Sequence, residues 1–313
     1  MAKFSLPDDV TVMGDPHLGR KFKTGVPLHR VGDREAAQWE QFANELWSCE
    51  TKYHINMGDL FDKFVVAPEI VLEAVRIYKQ AAHYNPDTIY VVIEGNHDRA
   101  KDSTKKSSFD LFANLVVDVP NIAVVQEAGM LIGSKMAALP YHPFRTAEEI
   151  LDETPGNLDV VFGHWDIQDW GGDNVIPTKL MAQRGIKLAV SGHDHLAREE
   201  KRDGVNIIVT GSMQPFTHAE DADGDLYVTV TLAELEGMDV LNKNVRVLLK
   251  EGESLPTDLD CLSLTAKRIT NEDDKIEVDT SDFDSLDLGQ MLARALDGLT
   301  IKDQLMGEFS EAS

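Results

Sequence analysis

Five times along this chain, a short apolar run rich in β-branched residues stops at a glycine that is followed at once by a residue able to ligate a metal. Gly14-Asp15 follows residues 10–13, Gly58-Asp59 follows 55–57, and Gly95-Asn96 follows 88–93. Gly163-His164 and Gly192-His193 then follow 159–162 and 187–191. Buried strands ending in this way leave few folds open. In open α/β sheets, ligands bind in the crevice beyond the carboxyl ends of the strands. Glycine lets the backbone turn sharply there and brings short polar side chains to a common point. Helical segments lie between the runs. Residues 35–47 carry Trp39, Phe42, Ala43, Leu46 and Trp47 on one face, and Pro68 opens a segment whose Ile70, Ala74, Ile77, Tyr78 and Ala81 face inward. With further strands at 122–125, 136–139 and 205–210, the alternation predicts a layered α/β domain.

Past the last glycine-ended strand the pattern changes. Residues 226–232 alternate like a half-exposed strand and 245–249 are a candidate partner, which predicts a small β appendage. Residues 252–257 read as a turn or linker and 271–284 as an acid-rich connector. Leu288, Met291, Leu292, Ala295, Leu296 and Leu299 then follow helical spacing, with Asp284 or Ser285 as N-cap. The expected organisation is a catalytic domain over 1–224, a β cap over 225–270, and a connector with a C-terminal helix over 271–313.

Composition narrows the function classes. Lys and Arg total 30 against 54 Asp and Glu, a formal charge of -24. Such a field repels polyanions, so a nucleic-acid enzyme of this kind needs metal ions, a local basic patch or a partner to hold its substrate. Cys49 and Cys261 are the only cysteines, which excludes a disulfide framework and a thiolate zinc site and fits a reducing cytoplasm. There is no apolar signal core at the N-terminus and no apolar stretch of the ~18 residues a membrane span needs, so a soluble cytoplasmic protein is expected. The oxygen and imidazole donors at the strand ends suit manganese, iron or zinc better than calcium, which prefers all-oxygen cages. Singly, each element is unremarkable: Gly-Asp is a common turn, and a lone His164 is more often structural than a ligand. The order of five together carries the argument.

That order, Asp15-Pro16-His17, Gly58-Asp59-Leu60-Phe61-Asp62, Gly95-Asn96-His97-Asp98, Gly163-His164 and Gly192-His193-Asp194-His195, resembles the signature of the calcineurin-like metallophosphoesterase superfamily over about residues 10–213. Gly58-Asp59-Leu60-Phe61-Asp62, Gly192-His193-Asp194-His195 and the following Gly211-Ser212-Met213-Gln214-Pro215 look most like bacterial SbcD nucleases and the corresponding phage recombination endonuclease subunit, and Asp15-Pro16-His17-Leu18-Gly19 agrees. The resemblance implies a layered metallophosphoesterase β-sandwich flanked by helices, with a small β cap and a C-terminal helical segment. It also implies two divalent metals, manganese first, with magnesium, iron or zinc as other occupants. Asp15, His17, Asp59 and His195 would surround one metal, and Asp59, Asn96, His164 and His193 the other, with Asp59 bridging. Two cations ~3.5–4 Å apart can clamp a phosphodiester and lower the pKa of a shared water. His97 would be the acid for the leaving oxygen, and Asp98 would orient it.

The implied activity is hydrolysis of DNA phosphodiesters, as exonuclease or endonuclease, by the nuclease subunit of an SbcCD-like recombination and repair complex. In such complexes a C-terminal helix grips an SbcC-type coiled-coil ATPase, and a homodimer is compatible with this scheme. The setting would be the cytoplasm, that of the host if the gene is a phage's. Two other readings share the motifs: a phosphoesterase for small phosphodiesters, nucleotides or phosphoproteins, and an idle scaffold for an ATPase, against which the intact ligand set speaks. Asp62 stands where some relatives carry histidine, and the region beyond Asp225 is short for a family with a larger DNA-capping domain. Arg20, Lys21, Lys23 and Arg30 follow the first ligand pair, and Arg99, Lys101, Lys105 and Lys106 the third. Apart from Arg30 these are the candidate DNA-backbone contacts, against the simpler reading of solvated loop charges. Trp165 and Trp170 read equally as core or as a stacking surface, and His142 and His218 as structural or solvent-facing.

Overall fold

The computed structural model describes residues 4–269, apart from 100, 101, 103, 134, 169–171, 173, 222 and 223. Lys101, Trp170 and the C-terminal stripe at 288–299 therefore lie outside the described residues. Among the described residues, those up to 248 form one compact unit together with 254–267.

The first sheet has the order β1 (Val10–Met13), β2 (Tyr53–Asn56), β3 (Ile89–Ile93), β4 (Ile122–Val125), all parallel. The second comprises β5 (Met130–Gly133), β6 (Met136–Leu139), β7 (Val160–His164), β8 (Leu188–Gly192), β9 (Arg198–Arg202) and β10 (Val205–Val209), in the order β5-β6-β7-β8-β10-β9. Its four inner strands β6, β7, β8 and β10 are parallel, while β5 and β9 pair antiparallel at the edges. Strands enclosed on both faces read as nearly continuous apolar runs, and β2 accordingly buries all four of its residues.

Three apolar layers hold these sheets. Between them, Tyr53, Ile55, Val91 and Ile93 of the first sheet meet Met136, Phe162, Leu188 and Val190 of the second. Outside the first sheet pack α1 (Asp33–Trp47), α2 (Pro68–Tyr84) and α3 (Ser108–Val116), through Phe42, Leu46, Ala74, Tyr78, Phe109 and Phe112. Outside the second, Ile150 and Leu151 of α4 (Ala147–Glu153) and Met181 of α5 (Thr178–Gln183) cover Val161, Ala189 and Ile207. Trp165 belongs to this core and is fully buried. The result is the expected β-sandwich flanked by helices.

Local chemistry sets several boundaries. Pro68 starts α2 at its first turn, where a missing N–H costs nothing. Capping boxes start α3 (Ser107 with Asp110) and α4 (Thr146 with Glu149). A third sheet of β11 (Tyr227–Thr231), β12 (Asn244–Leu249) and β13 (Ser263–Arg268) occupies the expected place of the β appendage, with α6 (Leu232–Leu235) after β11. β11 and β12 run parallel.

Candidate metal centre

Because β1, β2 and β3 are parallel neighbours, Gly14-Asp15, Gly58-Asp59 and Gly95-Asn96 leave the first sheet at one edge. β7 and β8 deliver His164 and Gly192-His193 at the matching edge of the second sheet. The two edges are laced together: the Asp15 amide donates to the Gly211 carbonyl (3.3 Å), and the His193 amide donates to Asp15 Oδ2 (2.9 Å). Three of the ligand candidates adopt the left-handed backbone region that side chains usually avoid: His17 (φ 45°), Asp59 (φ 49°) and His193 (φ 76°). Asp203 is the only other such non-glycine among the described residues. Conformations of this sort cost on the order of 1–3 kcal/mol each and persist where the surroundings enforce them. Here the His17 amide is tied to the Asp59 carbonyl (3.0 Å). All five strand-end glycines are obligatory for space; a Cβ on Gly58 would enter the His164 ring, and one on Gly95 would strike Asp59.

All seven predicted ligand residues converge. Asp59 reaches both halves of the site, with Oδ2 3.6 Å from His17 Nε2 and Oδ1 3.4 Å from His164 Nε2, the disposition of a bridging carboxylate. Asn96 Oδ1 lies 2.8 Å from His164 Nε2 and 2.9 Å from His193 Nδ1. His17 Nε2 lies 2.9 Å from His195 Nε2. Asp15 Oδ1 is buried with no hydrogen-bond partner. Three groups of donor atoms, Asp15–His17–His195, His17–Asp59–His97 and Asp59–His164–His193, each gather within 4.8 Å. Donor atoms crowded this closely, with an orphaned buried carboxylate oxygen beside them, are what a divalent cation would relieve. The residues therefore fit two metals, held as the resemblance implies, with Asp59 shared.

The electrostatics agree. Burial pushes the Asp15 carboxyl up to about 7 against the pull of His164. Burial pushes the His17 imidazole down to about 3, leaving a neutral donor. At His164, burial opposes charge, but Asp59 and Asp15 outweigh it and push the imidazole up to about 10. Burial alone would raise Asp59, yet the neighbouring His164 holds it below the usual carboxylate range. In the metal-free protein a proton on His164 thus supplies part of the positive charge that the carboxylates demand.

The chain from residue 9 to 197 matches the model of the Calcineurin-like phosphoesterase family. The chain belongs to this family. Membership implies metal-dependent hydrolysis of phosphoesters. No curated protein matches the sequence. Similar solved structures include the phosphopantetheinyl hydrolase from Mycobacterium tuberculosis, 11% identical with a TM-score of 0.40 over 66% of this chain and 93% of that one. Another is TT1561 of Thermus thermophilus, 13% identical with a TM-score of 0.43 over 65% and 89%.

Other assignments in this calcineurin-like phosphoesterase need correction. Asp98 does not orient His97. Its fully buried carboxylate accepts from the amides of Leu60 (3.0 Å), Phe61 (3.0 Å) and Gly95 (3.1 Å), tying the second motif to the third. His97 is exposed, and its Nδ1–H donates instead to the Asp62 carbonyl (2.7 Å). Among the basic candidates, Arg99 is committed to Glu94 (2.8 Å) and Glu127 (2.9 Å). Lys105 pairs with Asp102 (3.5 Å) and Lys106 with Asp110 (3.8 Å), so local carboxylates already answer all three. Arg20 is near Asp62 (3.6 Å) but also lies over the Phe216 ring (4.4 Å), which itself sits 5.3 Å from His17.

Besides a cavity of about 390 Å³ walled by Asp166, His193, Asp194 and His195 themselves, two more flank the centre. One of about 800 Å³ opens beside Asn96 and His97, with Phe64, Val66 and Ile70 among its walls and Arg20 and Lys21 at its side. The other, of about 350 Å³, is lined by Arg20, Lys21, Lys23 and Arg246 together with Phe22 and Phe216. Arg246 was not foreseen; as one basic residue in a β-strand pattern it carries no sequence signal. Asp166 and Glu220, beside the outer nitrogens of His193 and His195, were also missed.

Proposed function

We propose that this calcineurin-like phosphoesterase is a metal-dependent DNA nuclease, the nuclease subunit of an SbcCD-like recombination and repair complex. The smaller cavity carries this reading. Its lining holds four cationic side chains and no carboxylate, in a chain with a formal charge of -24. Lys21, Lys23 and Arg246 pair with no carboxylate among the described residues. Arg20 and Lys21 line both cavities, so cationic side chains link the smaller one to the larger, whose wall also carries Asp62 and Glu69. A small ester needs no such track, whereas a polynucleotide backbone does. The apolar wall at Phe64, Val66 and Ile70 suits the face of a base or sugar.

When bound, two divalent cations supply positive charge against the phosphoester and bring the pKa of water toward neutrality. Manganese is the first choice for them. The chain's own part is to orient the phosphate through Arg20 and Lys21 and to hold a proton on His97 Nε2 for the leaving oxygen. The ATPase partner rests on the sequence of the stripe at 288–299 alone.

Manganese-dependent digestion of end-labelled single- and double-stranded DNA, run beside bis-p-nitrophenyl phosphate, tests the proposal. Turnover of both substrates is expected. Turnover of the small ester alone would transfer the chain to the small-phosphodiesterase reading.

A further inference from the structure

The two histidines of Gly192-His193-Asp194-His195 each turn one ring nitrogen to the metal centre and the other to a carboxylate outside it. His193 places Nδ1 2.9 Å from Asn96 Oδ1 and Nε2 2.8 Å from Asp166 Oδ1. His195 places Nε2 2.9 Å from His17 Nε2 and Nδ1 at a looser 3.5 Å from Glu220 Oε1. Neither carboxylate belongs to a signature motif.

We infer that Asp166 is a positioning residue for the metal site, fixing the tautomer and ring orientation of His193, with Glu220 as its looser counterpart at His195. A neutral imidazole carries one N–H, and a carboxylate beside Nε2 captures that proton there. The Nδ1 lone pair is then left on the side of Asn96 and His164. Rotating the ring would break the charge-assisted bond, so the donor stays aimed whether or not a cation is present. The inference rests on the metal-centre reading.

Asp166 is itself held firmly. Its amide donates to the Asn174 carbonyl (3.0 Å), and its carbonyl accepts from the Ile176 amide (3.0 Å). Asn174 Nδ2 then donates to the carbonyl of His164 (2.7 Å), so this anchor is fastened to a ligand residue of the same site. Glu220 is fixed by the Phe216 amide (2.8 Å) and the Thr217 hydroxyl (3.2 Å), and Arg34 holds the Pro215 carbonyl one residue before (2.9 Å). The short spacing of Asp166 and its tethered backbone make it the stronger of the two.

The test is manganese titration of the metal-free full-length chain by calorimetry, alongside thermal melting of the same metal-free samples. Asp166→Ala should weaken one of two manganese sites by about 10–100-fold, the usual effect of losing such a carboxylate. Asp166→Asn keeps an acceptor oxygen and should fall between wild type and Asp166→Ala. The melting temperature of both metal-free variants should match wild type, and the visible spectrum of the cobalt-loaded Asp166→Ala protein should change. In a His193→Ala background, Asp166→Ala should add no further loss of affinity. Undiminished manganese affinity in Asp166→Ala, or a loss that simply adds to that of His193→Ala, overturns the positioning role alone. A parallel fall in metal-free melting also overturns it, in favour of a structural one. A wild-type chain that binds no manganese overturns the metal centre and this inference with it.

Discussion

His97 donates twice to its surroundings, its amide to Asp59 Oδ1 (2.8 Å) and its Nδ1–H to the Asp62 carbonyl (2.7 Å), so only Nε2 is left to exchange a proton. His97→Ala should therefore keep both metals while losing typically 10²–10⁴-fold in rate, the worth of a positioned acid. Elemental analysis beside turnover checks this, and metal lost in step with activity would move His97 into the coordination shell. His54 differs in kind: it is buried in the middle of β2 with neither ring nitrogen hydrogen-bonded, packed at 5.6 Å against Tyr90. Burial pushes its imidazole down to about 4. Because the folded pKa lies below the unfolded value of about 6.5, the unfolded chain takes up a proton first as pH falls. The resulting stability is complete above about pH 6.5 and is lost toward pH 4, by about 3 kcal/mol over that window. His54→Phe should flatten the pH dependence of the denaturation midpoint there; equal slopes in the two proteins would exclude the effect. At this scale the sequence reveals the ligand candidates that the fold brings together, because glycine-ended strands announce them. It conceals residues that act only through what they face, such as Asp98, Asp166 and Arg246.

Elements were legible in proportion to their burial. The inner parallel strands read directly from apolar runs, whereas β9, Arg-Glu-Glu-Lys-Arg, has no apolar residue and forms only because β10 offers an antiparallel edge. Charge on that strand also discourages further pairing beyond the sheet. α1 hides a different feature: Arg34 and Gln38 lie on its buried face, and Gln38 Nε2 donates to the Pro16 carbonyl (2.7 Å), supporting the Asp15–His17 turn from behind. α3 was not foreseen, yet its start matters to the larger cavity. The Ser108 hydroxyl accepts from the Val66 amide (2.9 Å) and the Ser108 amide donates to the Phe64 carbonyl (2.9 Å), fixing part of that wall. Ser107 caps the helix by accepting from the Asp110 amide (2.9 Å). Ser107→Ala should cost about 1 kcal/mol in chemical denaturation, as lost N-caps do. No change in stability would mean that Asp110, which also accepts from the Ser107 amide (2.8 Å), suffices alone.

Across the whole molecule, a net charge of -24 makes the carboxylate-free cleft the favourable approach for a polyanion. Reversing two of its cations, Lys23→Glu with Arg246→Glu, should weaken DNA turnover and lower the slope of log kcat/KM against log salt by about 2, one per phosphate contact. Hydrolysis of bis-p-nitrophenyl phosphate should stay as it was. An unchanged salt slope would place the backbone elsewhere. The sandwich divides the ligand candidates by sheet: Asp15, His17, Asp59 and Asn96 come before the crossing from β4 to β5, and His164, His193 and His195 after it. Neither part holds a full set for either metal. During synthesis, then, a nascent chain lacks a complete donor set until His195 has left the ribosome and both sheets have closed, so an unfinished copy has no working phosphoesterase centre.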